Sequence, residues 1–324
     1  MRLLGVELRR LRARAAVLVV MAIGLAGTLL LGWAAHQAAQ PMPEEDIAQA
    51  ERFYQEEVER WESDGERMVA ECLEAEAAES EASGEQLDFG CDEMGPPQRE
   101  WYVWEPPAFA EFATAALPSA MLLLAFVSLL AGVTFVAAEF ATGSIGTWLT
   151  FVPRRGRVFA SKTGAAAVGG LVFAAVWSAA YLGATALGYA LAGSEVAVTA
   201  TQVHALLKVA VLGTAVTVVG TALGFLLRHT AAALGVALGY VIAVDGIVLS
   251  ALRGGGRWSL LTNMQAWVTG SASYYQDECT TTATGTMCDW VEHTVSMTQG
   301  GLVLLGVVVV LGAAALLTFR RRDV

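Results

Sequence analysis

Six stretches of this chain are apolar for about twenty residues each, and that pattern limits the folds open to it. A run of this length matches the roughly 30 Å of a bilayer's hydrocarbon layer. Inside hydrocarbon every backbone polar group needs a partner within the chain, so such runs are expected to be helices. They are 15–36, a second at 112–138, three within 163–252 (Gly164 to Leu191, His204 to Leu227, Thr230 to Leu252) and a sixth at 300–319. Composition agrees, with 55% hydrophobic and only 16% charged residues, against about 25% charged in an ordinary soluble domain. The expected fold class is an all-α membrane protein of six transmembrane helices.

The charges are sorted along the chain. Residues 37–111 hold 22 Asp and Glu against four Arg, 18 net negative charges, while the whole chain is at −11. The rest is therefore positive by seven. Six spans place both termini on one side. Thirteen basic residues fall on that side: Arg2, Arg9, Arg10, Arg12, Arg14, Arg154, Arg155, Arg157, Lys162, Arg228 and Arg320 to Arg322. Six fall on the other: Arg52, Arg60, Arg67, Arg99, Arg253 and Arg257. Lys208, near the outer end of the fourth span, belongs to neither set. The positive-inside rule then makes both termini cytoplasmic. Two Lys against eighteen Arg, with abundant Ala and Gly, is the bias of a GC-rich bacterial genome. The expected location is a bacterial plasma membrane.

The segments between spans follow from these sides. Residues 1–14 carry Leu3, Leu4, Leu8 and Leu11 at helical spacing among arginines, as an interfacial amphipathic helix would. The alternative is the charged start of a signal peptide, whose apolar core is shorter, about 7–15 residues. Residues 37–111 form an acidic extracellular helical domain, with a thin apolar stripe at Tyr54, Val58, Trp61, Met68 and Cys72. Ser63-Asp64-Gly65 is a candidate break in it, and Trp101, Tyr102 and Trp104 suit a membrane-surface belt. Residues 139–162 are a cytoplasmic segment, 253–299 a second extracellular loop, and 320–324 a cytoplasmic tail. All four cysteines, Cys72, Cys91, Cys279 and Cys288, fall in the two outer loops. That placement fits disulfides in an oxidising compartment, pairing within each loop being the simplest connectivity and free thiols the alternative.

Catalytic motifs are missing. There is no HExxH and no GxSxG, and His36, His204, His229 and His293 lack metal-ligand spacing. GRVFASKT, Gly156 to Thr163, resembles a phosphate-binding loop, but Ser161 replaces its second glycine and no strand precedes it. The chain is expected to be no enzyme and to bind no cofactor or metal. Energy for any transport would come from a partner.

The segment Glu139 to Lys162 resembles the signature region of type-2 ABC exporter permeases. The matching residues are Glu139 ending the second span, Gly143, a short helix around Ser144 to Phe151, Pro153, Arg154 and Arg155, and Lys162 opening the third span. The closing FRRRDV and the interfacial first helix are similar to that family as well. The acidic loop is longer than a plain drug exporter's. The resemblance implies a permease paired with a second copy or a paralogue and docked on an ABC ATPase subunit that holds ATP and magnesium. It implies a path lined by the second and fifth spans for an amphiphilic drug, lipid or peptide. No nucleic acid is implied; the lipid membrane is.

The residues themselves support part of this. A helix bearing Ile145, Trp148 and Leu149 can seat its apolar side in a partner's groove, or lie on lipid headgroups. The arginines after it can serve docking, or topology and anionic lipid. Glu139 sits where the helix dipole disfavours a negative charge, so the Arg-rich first helix or Lys162 is its expected partner. Asp245, the one acid deep in a span, is a candidate for the transport path, through a cationic substrate or a proton. A helix break near Gly246 would make it a wet helix end instead. Gly220/Gly224 and Gly235/Gly239 suit close packing within the subunit. Two rival functions stay open: an ion-extruding permease using Asp245, and a non-transporting peptide sensor or immunity protein. In the first, a sodium-extruding member for example, the acidic loop handles cations together with Asp245; in the second it binds an extracellular peptide; or it is only a solvated hairpin.

Overall fold

The structure, a computed structural model, describes residues 2–84, 86–282 and 285–322, with backbone alone at 2, 280–282 and 285–287. Met1, Glu85 and the last two residues of the 320–324 tail lie outside the described residues. The chain divides into two compact units.

The first unit comprises residues 1–37, 108–276 and 290–324. It is mostly helical and, among the described residues, holds six helices long and apolar enough to cross a membrane. Helix α1 (Arg2–Ala13) leads through Arg14 into α2 (Ala15–Ala38). The chain enters the unit again at α4 (Phe109–Ala115), followed by α5 (Leu117–Ala141) and α6 (Ser144–Phe151). Then come α7 (Arg155–Leu191) and α8 (Ala200–Leu227). Helix α9 (Thr230–Gly239) continues through a π-helical stretch, Tyr240–Val248, into a last turn, α10 (Leu249–Ala251). A short helix α11 (Leu260–Thr269) and the long α12 (Met297–Arg321) complete the unit.

Helices α5, α7 and α8 make the core. Leu124, Val127, Phe173, Trp177, Tyr181, Val209 and Leu212 fill its middle. Leu11, Phe135, Val136, Ile145, Val158, Phe225 and Phe319 fill the end where α1 lies and α12 finishes. Helix α5 meets α8 closely because both present glycine. A Cβ on Gly132 would strike the Thr217 carbonyl, and one on Gly220 the Leu129 carbonyl. The pair at Gly220/Gly224 thus packs within the subunit as expected. Gly235/Gly239 does not: nothing lies within contact range of either. Helix α9 with its π-helical continuation, and α12, leave most of their apolar surface bare, with Ile242 of the π-helical stretch and Val310 of α12 each about two-thirds exposed.

Residues 253–299 contain an element that spacing does not predict. Strands β1 (Ser271–Thr282) and β2 (Gly285–Ser296) pair as a hairpin. Cross-strand rings support it, Tyr274 on His293 and Tyr275 on Trp290.

The second unit comprises residues 38–107 and 277–289. Its helix α3 (Glu44–Ser83) is unbroken for 40 residues, roughly 60 Å at 1.5 Å per residue. Ser63-Asp64-Gly65 does not interrupt it. Gly65 instead leaves room for the Trp61 ring, 2.9 Å from where a Cβ would sit. Disulfides join Cys72 to Cys91 and Cys279 to Cys288, one pair within each loop. Arg99 reaches Glu51 at 3.0 Å and Tyr54 packs on Tyr102, tying the return to the helix.

Candidate functional site

The site lies in the first unit, where α1, the end of α5 and the start of α7 meet beneath α6. Helix α5 ends with Glu139 in its last turn. Gly143 then takes φ 68°, left-handed backbone that costs a side-chain-bearing residue but not glycine. That bend sends the chain into α6, eight residues long. Val152 is extended, as the residue before a proline tends to be, and Pro153 ends the helix.

Helix α7 begins at Arg155, two turns before the expected start of the third span. Gly164 and Gly169 open a seat on it for α1: Leu4 comes against the first and Leu11 against the second. Leu4, Glu7 and Leu11 share one helical face by their three- and four-residue spacing. Seating the two leucines therefore carries Glu7 inside, where it is fully buried, as is Lys162.

Four charges close on one another there. The Lys162 Nζ lies 2.8 Å from Glu7 Oε2 and 2.6 Å from Glu139 Oε2. The first contact is a directed hydrogen bond. The second is ionic proximity without hydrogen-bond direction, since Glu139 Oε2 has no such partner. Arg14, at the joint of α1 and α2, reaches Glu139 Oε1 at 2.7 Å and donates to the Thr134 carbonyl at 3.2 Å. Glu139 thus meets both partners expected for it. Two carboxylates face Lys162 and Arg14, with opposite charges adjacent throughout. The Phe135 ring lies 5.1 Å from Lys162 Nζ and 5.7 Å from the Arg14 guanidinium carbon. Arg10, 3.8 Å from Glu7 Oε1, lies over the Trp148 ring of α6 at 4.1 Å. The lock joins residues 155 apart in sequence and connects upward to α6.

Glu7 is the residue that sequence reasoning misses. Its one signal is an acid on an otherwise basic helix, in phase with Leu4 and Leu11. The near-match to a phosphate loop dissolves: Gly156 to Thr163 is helix throughout, and Lys162 is held by carboxylates.

The apolar residues of α6 pack inward on the chain's own bundle, with Trp148 and Leu149 left partly exposed. Ile145 is buried in the core beside Phe135 and Phe319, and Trp148 and Leu149 pack on the same cluster. The reason is the bend at Gly143, which lays the apolar face of α6 on its own bundle. Thr147, Thr150, Phe151, Pro153, Arg154 and Arg157 remain exposed, Phe151 at 77%. Arg155 is occupied differently, donating to the Phe319 carbonyl at 3.3 Å and so capping the end of α12.

Asp245 stands apart from this cluster. It is buried in the π-helical stretch, and there is no helix break at Gly246. Its Oδ1 accepts the Leu260 N–H at 3.0 Å and its Oδ2 the Leu261 N–H at 3.1 Å. Ser259 accepts from Thr262 beside them. Together these satisfy three orphan donors at the start of α11, a structural use of the acid.

No family model matches this sequence, and no curated protein or solved structure is similar enough to count as a relative.

Proposed function

We propose that this chain is the membrane-spanning subunit of a type-2 ABC exporter, driven by ATP hydrolysed on a separate subunit. The observation that carries this reading is the buried lock of Glu7, Lys162, Glu139 and Arg14. A force-receiving helix is useful only if it is coupled rigidly to the spans it must move. Here α6 rests on the core through Ile145 and touches the lock through Trp148 and Arg10. The lock in turn fastens α1, α5 and α7 to one another. A push on α6 would therefore move three helices as one body.

On this reading the termini and α6 are cytoplasmic, and the acidic unit is outside. The surface offered to the ATPase is Thr147, Thr150, Phe151, Pro153, Arg154 and Arg157, not Ile145, Trp148 and Leu149. The bare faces of α9 and α12 would meet lipid or a second permease copy. Cargo would be an amphiphilic drug, lipid or peptide. The ion-extruding alternative loses support because both oxygens of its acid, Asp245, already serve α11. The peptide-sensing alternative keeps one observation: a groove of about 170 Å³ in the acidic unit, lined by Glu57, Trp61, Met68, Trp101 and Tyr102 among others.

All four cysteines are in disulfides, so Thr147→Cys supplies a unique thiol. On the export reading, this thiol forms crosslinks to the ATPase that co-purifies with the chain. Phe151→Ala with Arg154→Ala then weakens cargo-stimulated ATPase activity in proteoliposomes. If no ATPase co-purifies, or if the crosslink forms only with lipid, the reading falls.

A further inference from the structure

The chain has two lysines, and the structure treats them oppositely. Lys162 is enclosed by two carboxylates. Lys208 lies roughly 12 Å into α8 from Ala200, half-buried, with no carboxylate in ion-pair range among the described residues. Its one hydrogen bond goes to the Val268 carbonyl at 3.4 Å, near the end of α11. A helix C-terminus offers about half a negative charge, and an ammonium has three donors to place. One carbonyl leaves two of those donors unplaced, and a cation within a span takes partners for them.

Lys208 opens on a cavity of about 190 Å³ between α4, α5, α7, α8 and α11. No Asp or Glu lines it. Four of its polar side chains are committed: Tyr181 donates to the Ala113 carbonyl at 2.9 Å, Gln202 to the Ala110 carbonyl at 3.3 Å, Thr114 to the Ala110 carbonyl at 2.7 Å and Thr269 to the Gln265 carbonyl at 2.8 Å. The donors left facing the space are Lys208, His204 and Thr201. The remaining wall is apolar, including Leu117, Leu182 and Leu206. Val203, Leu207 and Val211 of α8 are bare beside it, Leu207 at 61%.

We propose that this cavity holds the anionic headgroup of a membrane amphiphile, its phosphate ester or carboxylate against Lys208 and its tail along the bare face of α8. A cation with no carboxylate beside it selects an anion, and the apolar rim selects one that bears a chain. The space is large enough for several waters, and so for a headgroup. The proposal does not depend on the export reading.

Native mass spectrometry of the detergent-purified full chain tests it. Phosphatidylglycerol and phosphatidylcholine with the same acyl chains are added, with and without millimolar inorganic phosphate. The expected result is preferential retention of phosphatidylglycerol. It falls about tenfold in Lys208→Met, survives in Lys208→Arg, and resists inorganic phosphate. Thr201→Val with His204→Ala, both exposed, leaves the Val268 bond intact and carries the test if Lys208→Met does not fold. That pair is expected to weaken retention too. Equal retention of the two lipids overturns the proposal, as does a preference unchanged by both sets of variants. Displacement by inorganic phosphate assigns the cavity to a soluble anion and overturns the amphiphile.

Discussion

Replacing Lys162 with methionine keeps most of the stem's volume and removes the charge. It leaves Glu7 buried with only Arg10, 3.8 Å away and part-exposed, while Glu139 keeps Arg14 at 2.7 Å. Removing one partner of a buried pair costs about 3–5 kcal/mol. A domain's whole stability is about 5–15 kcal/mol, so the variant is expected to fold and to melt early. At roughly 2 °C per kcal/mol for a chain of this size, the melting temperature drops by about 6–10 °C. Adding Glu7→Gln removes the stranded charge and leaves Glu139 with Arg14 as a neutral pair. The double variant should regain more than half of the loss, upwards of about 1.5–2.5 kcal/mol. The assay is size-exclusion chromatography of detergent-purified protein after graded heating. A single variant within about 2 °C of the parent, or a double that melts no higher than the single, refutes the reasoning. A reciprocal swap, Glu139→Lys with Lys162→Glu, is not expected to rescue. The new lysine would face Arg14 and the new glutamate would face Glu7.

Asp245→Ala leaves two N–H groups at the start of α11 without an acceptor, about 1–3 kcal/mol each, and lowers the melting temperature in the same assay. Asp245→Asn, which keeps one acceptor, costs less; loss of transport in Asn at unchanged melting would return Asp245 to the path. Gly132→Leu drives a side chain into the α8 backbone near Thr217 and destabilises the bundle, whereas Gly235→Ala meets open space within a helix and leaves the melt equal or slightly higher. Cys72→Ser with Cys91→Ser opens a loop of sequence separation 19, about 3 kcal/mol on the chain-entropy account. The expected readout is faster proteolysis of residues 86–107 with the spans intact.

Much of the framework can be read from residues because a membrane leaves little choice. An apolar run of twenty residues must be a helix wherever lipid surrounds it, and the six runs are six helices. Glu139 also announces its need for a cation, since an acid at a helix C-terminus is unfavourable. What cannot be read is the identity of a distant neighbour. Amphipathic spacing marks Ile145, Trp148 and Leu149 as one face of α6, but not whether that face meets another protein or its own bundle. Glu7 on a basic helix would ordinarily stay in water; its burial depends on a lysine 155 residues later. Asp245 has a legible depth, yet its partners are backbone N–H groups of another helix, which side-chain patterns do not encode. The hairpin's Tyr, Trp and Thr are strand formers, but without clean alternation they read as a loop.

An apolar plug of equal shape can hold helices together as well as a buried ion pair does, so stability alone does not account for the lock. Charges differ from methyl groups in direction. Three greasy helices can slide by a turn and still bury their surface, but Glu7, Lys162, Glu139 and Arg14 alternate in sign across three elements. A slip of one turn, about 5.4 Å, would separate opposite charges and place like charges together. The arrangement therefore holds one register of α1, α5 and α7 under load. On the export reading that is the property a receiver of force needs, and it separates two quantities that usually move together. The Lys162→Met, Glu7→Gln double variant regains stability, because no charge is stranded. It does not regain the register constraint, because the bridge from α1 to α7 is gone. Its bundle should recover more than half of the heat resistance that Lys162→Met loses, while ATP hydrolysis on the partner stays less sensitive to cargo.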